Sequence, residues 1–296
     1  MPPEKKILVS RDVWQTALTT LRSTWKQTLI LLVFGLILPQ ILLNLVLDCQ
    51  SAEVAAELRA IFTSKMALTG SPVAFRELLH PALAYFGRLG FCIILISLFY
   101  LASYLAIVQT AVDHHRQVPG RGSLRAWVVG LRAALPAALI LGITLVILVI
   151  FGQVFIAPAL VIAILAILIP VILIAERKGA WSTLWSAITM KYVQGTGFSS
   201  WAVFFNLISL SAFLYAGLAA VGLLADALLF LDEKVGIARM IWSFNFPEKP
   251  YGPVYLAVAL IESGLSMTLL SALPALTAAL YFIVRRGGGG RPIAQA

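Results

Sequence analysis

The chain has 296 residues, of which 60% are hydrophobic and only 12% are charged, and its mean hydropathy is +0.95. A soluble domain normally carries about 25% charged residues, so this composition excludes an ordinary soluble domain. The formal net charge of +9 on so apolar a chain indicates affinity for anionic membrane lipid rather than for nucleic acid.

Six apolar runs are long enough to cross a hydrocarbon layer of roughly 30 Å. They predict spans at about 28–47, 89–111, 137–154, 158–175, 201–224 and 254–284. Pro158 suits the first turn of a new helix after a tight connection, and Pro274 predicts a tilt or kink in the overlong sixth span. The expected fold is therefore all-α, a single polytopic membrane domain (1–296) with six transmembrane helices.

The basic residues of the connecting segments predict the orientation. The side that holds both termini carries fifteen Lys and Arg against four acids, and the opposite side carries seven against eight. Basic loops stay in the cytoplasm, so both termini are predicted to be cytoplasmic. The first apolar run has full spanning length and is expected to be a permanent anchor rather than a cleaved signal peptide.

One helical stripe with apolar residues at i, i+3, i+4 and i+7 occurs three times. The occurrences are Trp14-x-x-Ala17-Leu18-x-x-Leu21, Leu124-x-x-Trp127-Val128-x-x-Leu131 and Trp181-x-x-Leu184-Trp185-x-x-Ile188. Each has basic residues on its other faces, which is typical of helices in the membrane interface. They predict three cytoplasmic amphipathic interfacial helices that open a pseudo-threefold parallel repeat, with units of about 7–112, 113–175 and 176–284. Chance recurrence of so short a stripe is the alternative.

Glu262 is the only acid inside a predicted span, and Ser266 lies one helical turn after it. A carboxylate in hydrocarbon normally faces the bundle interior, and Gln40 and Asn44 share a helix face that would line the same cavity. These four residues form the predicted intramembrane polar site. Two alternatives stay open: Glu262 lies near the outer headgroups, and the amides form ordinary hydrogen bonds between helices.

No motif for catalysis, nucleotide binding or metal binding occurs in the sequence, so we expect no enzyme activity, no cofactor and no metal. Asp113-His114-His115 follows the second span, and adjacent histidines on a helix diverge by about 100°. Their expected role is a polar end of that span. Cys49 and Cys92 are open to two interpretations, a disulfide or two small packing residues.

The segment from Ile174 to Ala187 reads IAERKGAWSTLWSA. An apolar run ends in Glu176, a basic turn closes with Gly179, and an amphipathic helix follows. This pattern resembles the YciC-like proteins and the membrane domain attached to some glycerophosphodiester phosphodiesterases, a six-helix family of bacterial inner-membrane proteins. The helix that contains Ser123-Leu124 and the paired spans after it resemble the same family. The long first outer loop departs from the family pattern. The resemblance implies a location in the bacterial inner membrane and a role in lipid or envelope homeostasis, but no catalytic residues.

Three functions are consistent with these features. The first is transport or handling of lipids or other small molecules, with membrane lipids as partners. The second is a non-catalytic scaffold or lipid-packing sensor whose interfacial tryptophans (Trp14, Trp127, Trp181 and Trp185) bind a partner protein in the membrane. The third and weaker alternative is the permease subunit of a larger transporter.

Overall fold

A computed structural model describes residues 10–39, 41, 72–118, 122–152, 155–194, 196, 198–231 and 253–287. In chain order the helices are α1 (Ser10–Leu32) with a π-helical continuation (Val33–Ile37), α2 (Pro72–His115), α3 (Ser123–Gly152), α4 (Ile156–Ala166), α5 (Ile169–Glu176), α6 (Ala180–Ile188), a 3₁₀ turn (Lys191–Val193), α7 (Ser200–Leu231) and α8 (Pro253–Gly287). No β-strand occurs in these residues, which confirms the predicted all-α class.

Four described helices are long and apolar enough to cross a membrane. They are Ile93–His115 in α2, Ser123–Ile150 in α3, Ser200–Ala225 in α7 and Leu260–Arg286 in α8. Each overlaps one of the predicted spans, and α8 is continuous through Pro274. Four described helices are therefore compatible with the composition-based prediction of a membrane protein.

Of the other two predicted spans, one is divided in the structure and one lies partly outside the described residues. The run at 158–175 is divided between α4 and α5 by a turn at 167–168, and its apolar helical segment Leu160–Glu176 is shorter than the four spans. Pro170 lies in the first turn of α5, where a missing N–H costs nothing. The predicted span at 28–47 begins in α1, but residue 40 and residues 42–47 lie outside the described residues.

The chain divides into two compact units. The first comprises Met1–Leu36, Leu98–Ala219 and Ser266–Ala296, and the second comprises Ile37–Ser97 and Ala220–Leu265. In the second unit, Ala225 and Val258 are buried and pack with Leu228.

The core of the first unit is built on the C-terminal half of α8. Residues from Ala275 to Leu280 are almost fully buried, as are Tyr281 and Val284. The apolar residues of this stretch share one hydrophobic cluster with buried residues of α2 between Ala102 and Val112 and with buried residues of α5. All residues of α5 except Glu176 are buried. The short helix α5 is thus a core element of this unit, which explains why it is apolar on every side.

Two glycines allow close helix packing in the first unit. A Cβ on Gly130 of α3 would lie 2.1 Å from the carbonyl oxygen of Ala102, and a Cβ on Gly35 would lie 2.5 Å from the side chain of Ser103. Small residues at helix contacts let backbones approach, which is how helices associate when lipid removes the hydrophobic driving force. Both α1 and α3 therefore use a glycine to reach the same stretch of α2.

The three copies of the predicted stripe lie in different environments. Only the third forms a separate helix, α6, whereas the first two are parts of the long helices α1 and α3. In the first copy Ala17 is buried, in the second Leu124 is 76% exposed, and in the third Leu184 is buried while Trp181 is 70% exposed. The copies share a sequence pattern but not a packing role.

Candidate functional site

The structure describes two of the four residues of the predicted polar site, Glu262 and Ser266. Glu262 is exposed on α8, two residues after the start of the spanning segment at Leu260, and Ser266 is half-buried. Both alternatives for Glu262, the bundle interior and the outer headgroups, stay predictions. Gln40 and Asn44 lie outside the described residues, and the predicted cavity with them stays a prediction. Cys49 also lies outside, as does the side chain of Cys92.

The four predicted interfacial tryptophans divide into two pairs. The Trp14 ring packs edge-on against the Phe213 ring, with the ring centroids 4.7 Å apart. Trp127 donates a hydrogen bond from Nε1 to Ser103 Oγ at 3.1 Å. These two are half-buried in protein. Trp181 and Trp185 instead expose 70% and 57% of their surface on α6. Only the α6 pair is free of the hydrophobic core and available to lipid or to another protein.

The main polar cluster forms where α5, α6 and α8 meet, and the chain makes a sharp turn to build it. Helix α5 ends at Glu176, and Arg177 adopts a left-handed conformation (φ 50°) that stops the helix, with its N–H on the Leu173 carbonyl at 3.1 Å. Gly179 is extended and precedes the first turn of α6. This turn brings Lys178 back onto the Glu176 carboxylate.

Glu176 is the centre of the cluster. Its side chain is only 8% exposed, and Oε1 accepts hydrogen bonds from Arg285 Nη2 at 2.7 Å and from the Tyr281 hydroxyl at 2.8 Å. Lys178 Nζ lies 2.5 Å from Oε2. Oε1 therefore has two hydrogen-bond donors, whereas Oε2 has the Lys178 ammonium as an ion-pair partner without hydrogen-bond geometry.

The pKa of Glu176, which lies just beyond the predicted span at 158–175, is set by two opposing effects. Burial raises it, and the charge of Lys178 and the hydrogen bonds from Tyr281 and Arg285 lower it by more, so the pKa falls below the ordinary value for a glutamate. The carboxylate is therefore ionised at neutral pH and holds the two cations by charge as well as by geometry.

A cavity of about 140 Å³ lies at this cluster, lined by Glu176, Lys178, Ser186, Lys191 and Arg285. Three cations and one carboxylate give the lining a net charge of +2. Ser186 lies on the buried face of α6, opposite the exposed tryptophans, and adds a hydroxyl. Because pockets for drug-sized ligands measure about 300–1,000 Å³, this cavity suits a small anionic group rather than a whole organic ligand.

Two further arginines close the neighbouring helix ends. Arg116 donates to the carbonyl oxygen of Ala175 on α5, and Arg286 donates to the carbonyl oxygen of His115 on α2. Cations at the last carbonyls of a helix complement its dipole. These contacts join α2, α5 and α8 at the cluster that holds Glu176.

The two adjacent histidines attach α2 to α1. His115 is buried, and its Nε2 lies 3.2 Å from Thr20 Oγ1. The His115 ring stacks on the Phe282 ring with the ring centroids 4.9 Å apart. His114 is exposed and lies 3.0 Å from Ser23 Oγ through Nδ1. The sequence predicted only a polar helix end, whereas in the structure this end also makes defined contacts between helices. Within the described parts of the chain, no three His, Cys, Asp or Glu side chains are grouped to hold a metal ion.

No protein-family model matches the chain, and neither a curated protein nor a solved structure matches it.

The residues of the cavity were not predicted as a site from the sequence. Glu176 and Lys178 appeared only within the segment from Ile174 to Ala187, and Arg285 was counted only among the basic residues of the side that holds both termini. The usable signal was an acid and basic residues at the ends of two apolar helices. Their pairing depends on how α5 and α8 pack, which sequence spacing does not reveal.

Proposed function

We propose that the protein is a multi-pass protein of the bacterial inner membrane, with both termini in the cytoplasm, that handles anionic phospholipids at its cytoplasmic surface. The proposal assigns no reaction and no cofactor to it. The observation that carries the proposal is the +2 cavity beside α6, a helix that exposes Trp181 and Trp185. Basic pockets near the cytoplasmic interface bind anionic headgroups, and exposed tryptophans favour the headgroup layer.

The charge distribution supports the proposed orientation. The cations of the cavity, Lys178, Lys191 and Arg285, all belong to segments on the basic side of the chain. That side carries more than twice as many Lys and Arg as the other, which is the pattern of cytoplasmic segments. The resemblance of residues 174–187 to inner-membrane proteins of the YciC-like family agrees with this placement.

The exposed apolar surface of the helices supports lipid contact. Only 11% of the residues in the most apolar stretch of α7 are buried within the protein, against 67% for α8. Large side chains on α7 are exposed, among them Trp201, Phe205 and Tyr215. Surface of this kind needs lipid or another apolar partner to cover it.

A non-catalytic scaffold is the second candidate, because the same α6 tryptophans and the same α7 surface would serve to bind a partner protein. The two candidates differ in what stays bound. A lipid-handling protein retains anionic lipid after purification, whereas a scaffold retains a stoichiometric protein.

The test is to purify the full chain from bacterial membranes in mild detergent and to quantify retained lipid and protein. We expect the retained lipid to be enriched in anionic phospholipid over its share in the source membrane. A reporter that works only in the cytoplasm should be active when it is fused to the C-terminus. Retained lipid that mirrors the bulk membrane, or a periplasmic C-terminus, would contradict the proposal.

A further inference from the structure

We propose that the cavity at Glu176 is a binding site for a phosphomonoester group, held by Lys178, Lys191 and Arg285. The proposal identifies the chemical group that the lipid-handling site binds. It rests on the proposed function only where it takes a membrane lipid as the source of that group. Inorganic phosphate and the headgroup of a phosphomonoester lipid share this chemistry.

The charge of the site matches such a group. The lining carries a net charge of +2, and a phosphomonoester carries about −1.5 to −2 at pH 7. A phosphodiester headgroup carries only one negative charge and would leave the site half neutralised. The site should therefore prefer a lipid with a terminal phosphate over other anionic phospholipids.

The donors present in the cavity also fit phosphate. The guanidinium of Arg285 donates from Nε to Tyr281 and from Nη2 to Glu176 and keeps its other N–H groups for a ligand. The two lysines offer point charges, and Ser186 offers a hydroxyl. Arg285 keeps one Nη2 contact with Glu176 at 2.7 Å, and Lys178 keeps its contact at 2.5 Å. Glu176 thus holds two of the three cations in position before any ligand arrives, which reduces the ordering that binding requires.

Lys191 is the residue that separates ligand binding from folding. It lies in the 3₁₀ turn after α6, is exposed, and lines the cavity. Its replacement removes a third of the positive charge while leaving the contacts of Glu176 with Lys178, Tyr281 and Arg285 in place. Arg125 is a matched control, because it is also exposed and basic but lies on α3 away from the cavity lining.

The experiment measures the melting temperature of the purified full chain during two titrations. The first uses inorganic phosphate with the chain in detergent, with sulfate at equal ionic strength as the control. The second uses nanodiscs of phosphatidylcholine with increasing phosphatidic acid, with phosphatidylglycerol as the phosphodiester control. Lys191→Gln, Lys191→Glu and Arg125→Gln are carried through both.

We expect saturable stabilisation of the parent chain by phosphatidic acid at lower content than by phosphatidylglycerol. In Lys191→Gln the apparent dissociation constant should rise about tenfold, in Lys191→Glu the stabilisation should vanish, and Arg125→Gln should match the parent. Stabilisation by inorganic phosphate as well would identify phosphate itself as sufficient, and stabilisation by phosphatidic acid alone would identify the lipid as the source. Equal responses in Lys191→Gln and Arg125→Gln, or no response in the parent, would overturn the proposal.

The two proposals fail in different ways. If the purified chain retains anionic lipid but Lys191→Glu retains as much, the cavity is not the site while lipid handling stands. If inorganic phosphate stabilises the parent through Lys191 and no anionic lipid is enriched, the cavity binds phosphate and the lipid-handling function is wrong.

Discussion

Arg285 Nη2 lies 2.7 Å from Glu176 Oε1, so the end of the last helix is paired with the end of α5 across more than a hundred residues of chain. The carboxylate is 8% exposed and the guanidinium side chain is 36% exposed. The pair is therefore neither a solvated surface contact nor a dry internal one. Its position makes it both a tertiary contact of the first unit and a wall of the cavity.

Replacing Arg285 with Gln should destabilise the protein, because the buried carboxylate loses one charged partner and keeps Lys178 and Tyr281. Since the arginine is partly exposed, we expect a loss of about 1–2 kcal/mol rather than the larger cost of a fully buried pair. The measurement is thermal unfolding in a fixed detergent, as a double-mutant cycle with Glu176→Gln. Arg132→Gln, an exposed arginine on α3, is the control. A coupling free energy near zero would show that the two side chains do not stabilise each other.

Replacing Gly130 with Ala should also destabilise the protein, because the new Cβ would lie 2.1 Å from the Ala102 carbonyl oxygen and the helices would have to separate. Overpacking of this kind costs about 1–3 kcal/mol. Gly142 lies on the same helix with nothing within 4 Å of its Cβ position, so Gly142→Ala should be neutral or should stabilise by up to about 1 kcal/mol. Melting temperatures of the two variants test the α2–α3 packing, and equal effects would contradict it.

Replacing Thr20 with Val should cost about 1 kcal/mol, because the hydroxyl that faces His115 Nε2 at 3.2 Å would be lost from a buried position. Thr19 is the neighbouring residue and is exposed, so Thr19→Val should stay within about 0.5 kcal/mol of the parent. Both substitutions introduce the same β-branched side chain, which cancels the change in helix propensity. Unfolding free energies that rank the two in reverse order would contradict the contact between α1 and α2.

Trp181 and Trp185 should be quenched by brominated lipids, whereas Trp127 should be protected by its contacts with Phe99 and Ser103. The measurement is fluorescence of variants that retain one of these tryptophans, with the others replaced by Phe. Quenching should be stronger with bromine near the headgroups than with bromine near the bilayer centre, since the α6 pair is expected in the interface. Strong quenching of Trp127 with protection of the α6 pair would contradict the assignment of the exposed face.

The sequence predicted the helices well where one apolar run makes one helix, as in α7 and α8, because length and composition alone determine such segments. It predicted the run at 158–175 less well, since an apolar helix buried in protein and one that faces lipid look the same by composition. Pro170 carried a signal for the start of a new helix that the apolar run obscured. The α6 stripe was identified from its spacing, but the outward position of Trp181 and Trp185 depends on which face of α6 packs on the core.

The candidate site was harder to predict from the sequence than the helices, because it depends on tertiary structure. The sequence directed attention to Glu262, because an acid inside an apolar run is conspicuous, and the structure places that residue on an exposed surface. Glu176 was less conspicuous at the end of a run, among basic residues. Its partners Tyr281 and Arg285 lie on one face of α8 at i and i+4, yet only the packing of α8 against α5 shows that this face receives the carboxylate.

Native mass spectrometry of the purified protein with phosphatidic acid is the most direct measurement of phosphate recognition at the Glu176 cavity. The parent chain and Arg125→Gln should each retain one tightly bound phosphatidic acid molecule at lipid concentrations where phosphatidylglycerol is released. Lys191→Glu should lose that molecule while it remains folded. Equal retention of phosphatidic acid by all three proteins would show that the lipid binds elsewhere and that the cavity does not recognise phosphate.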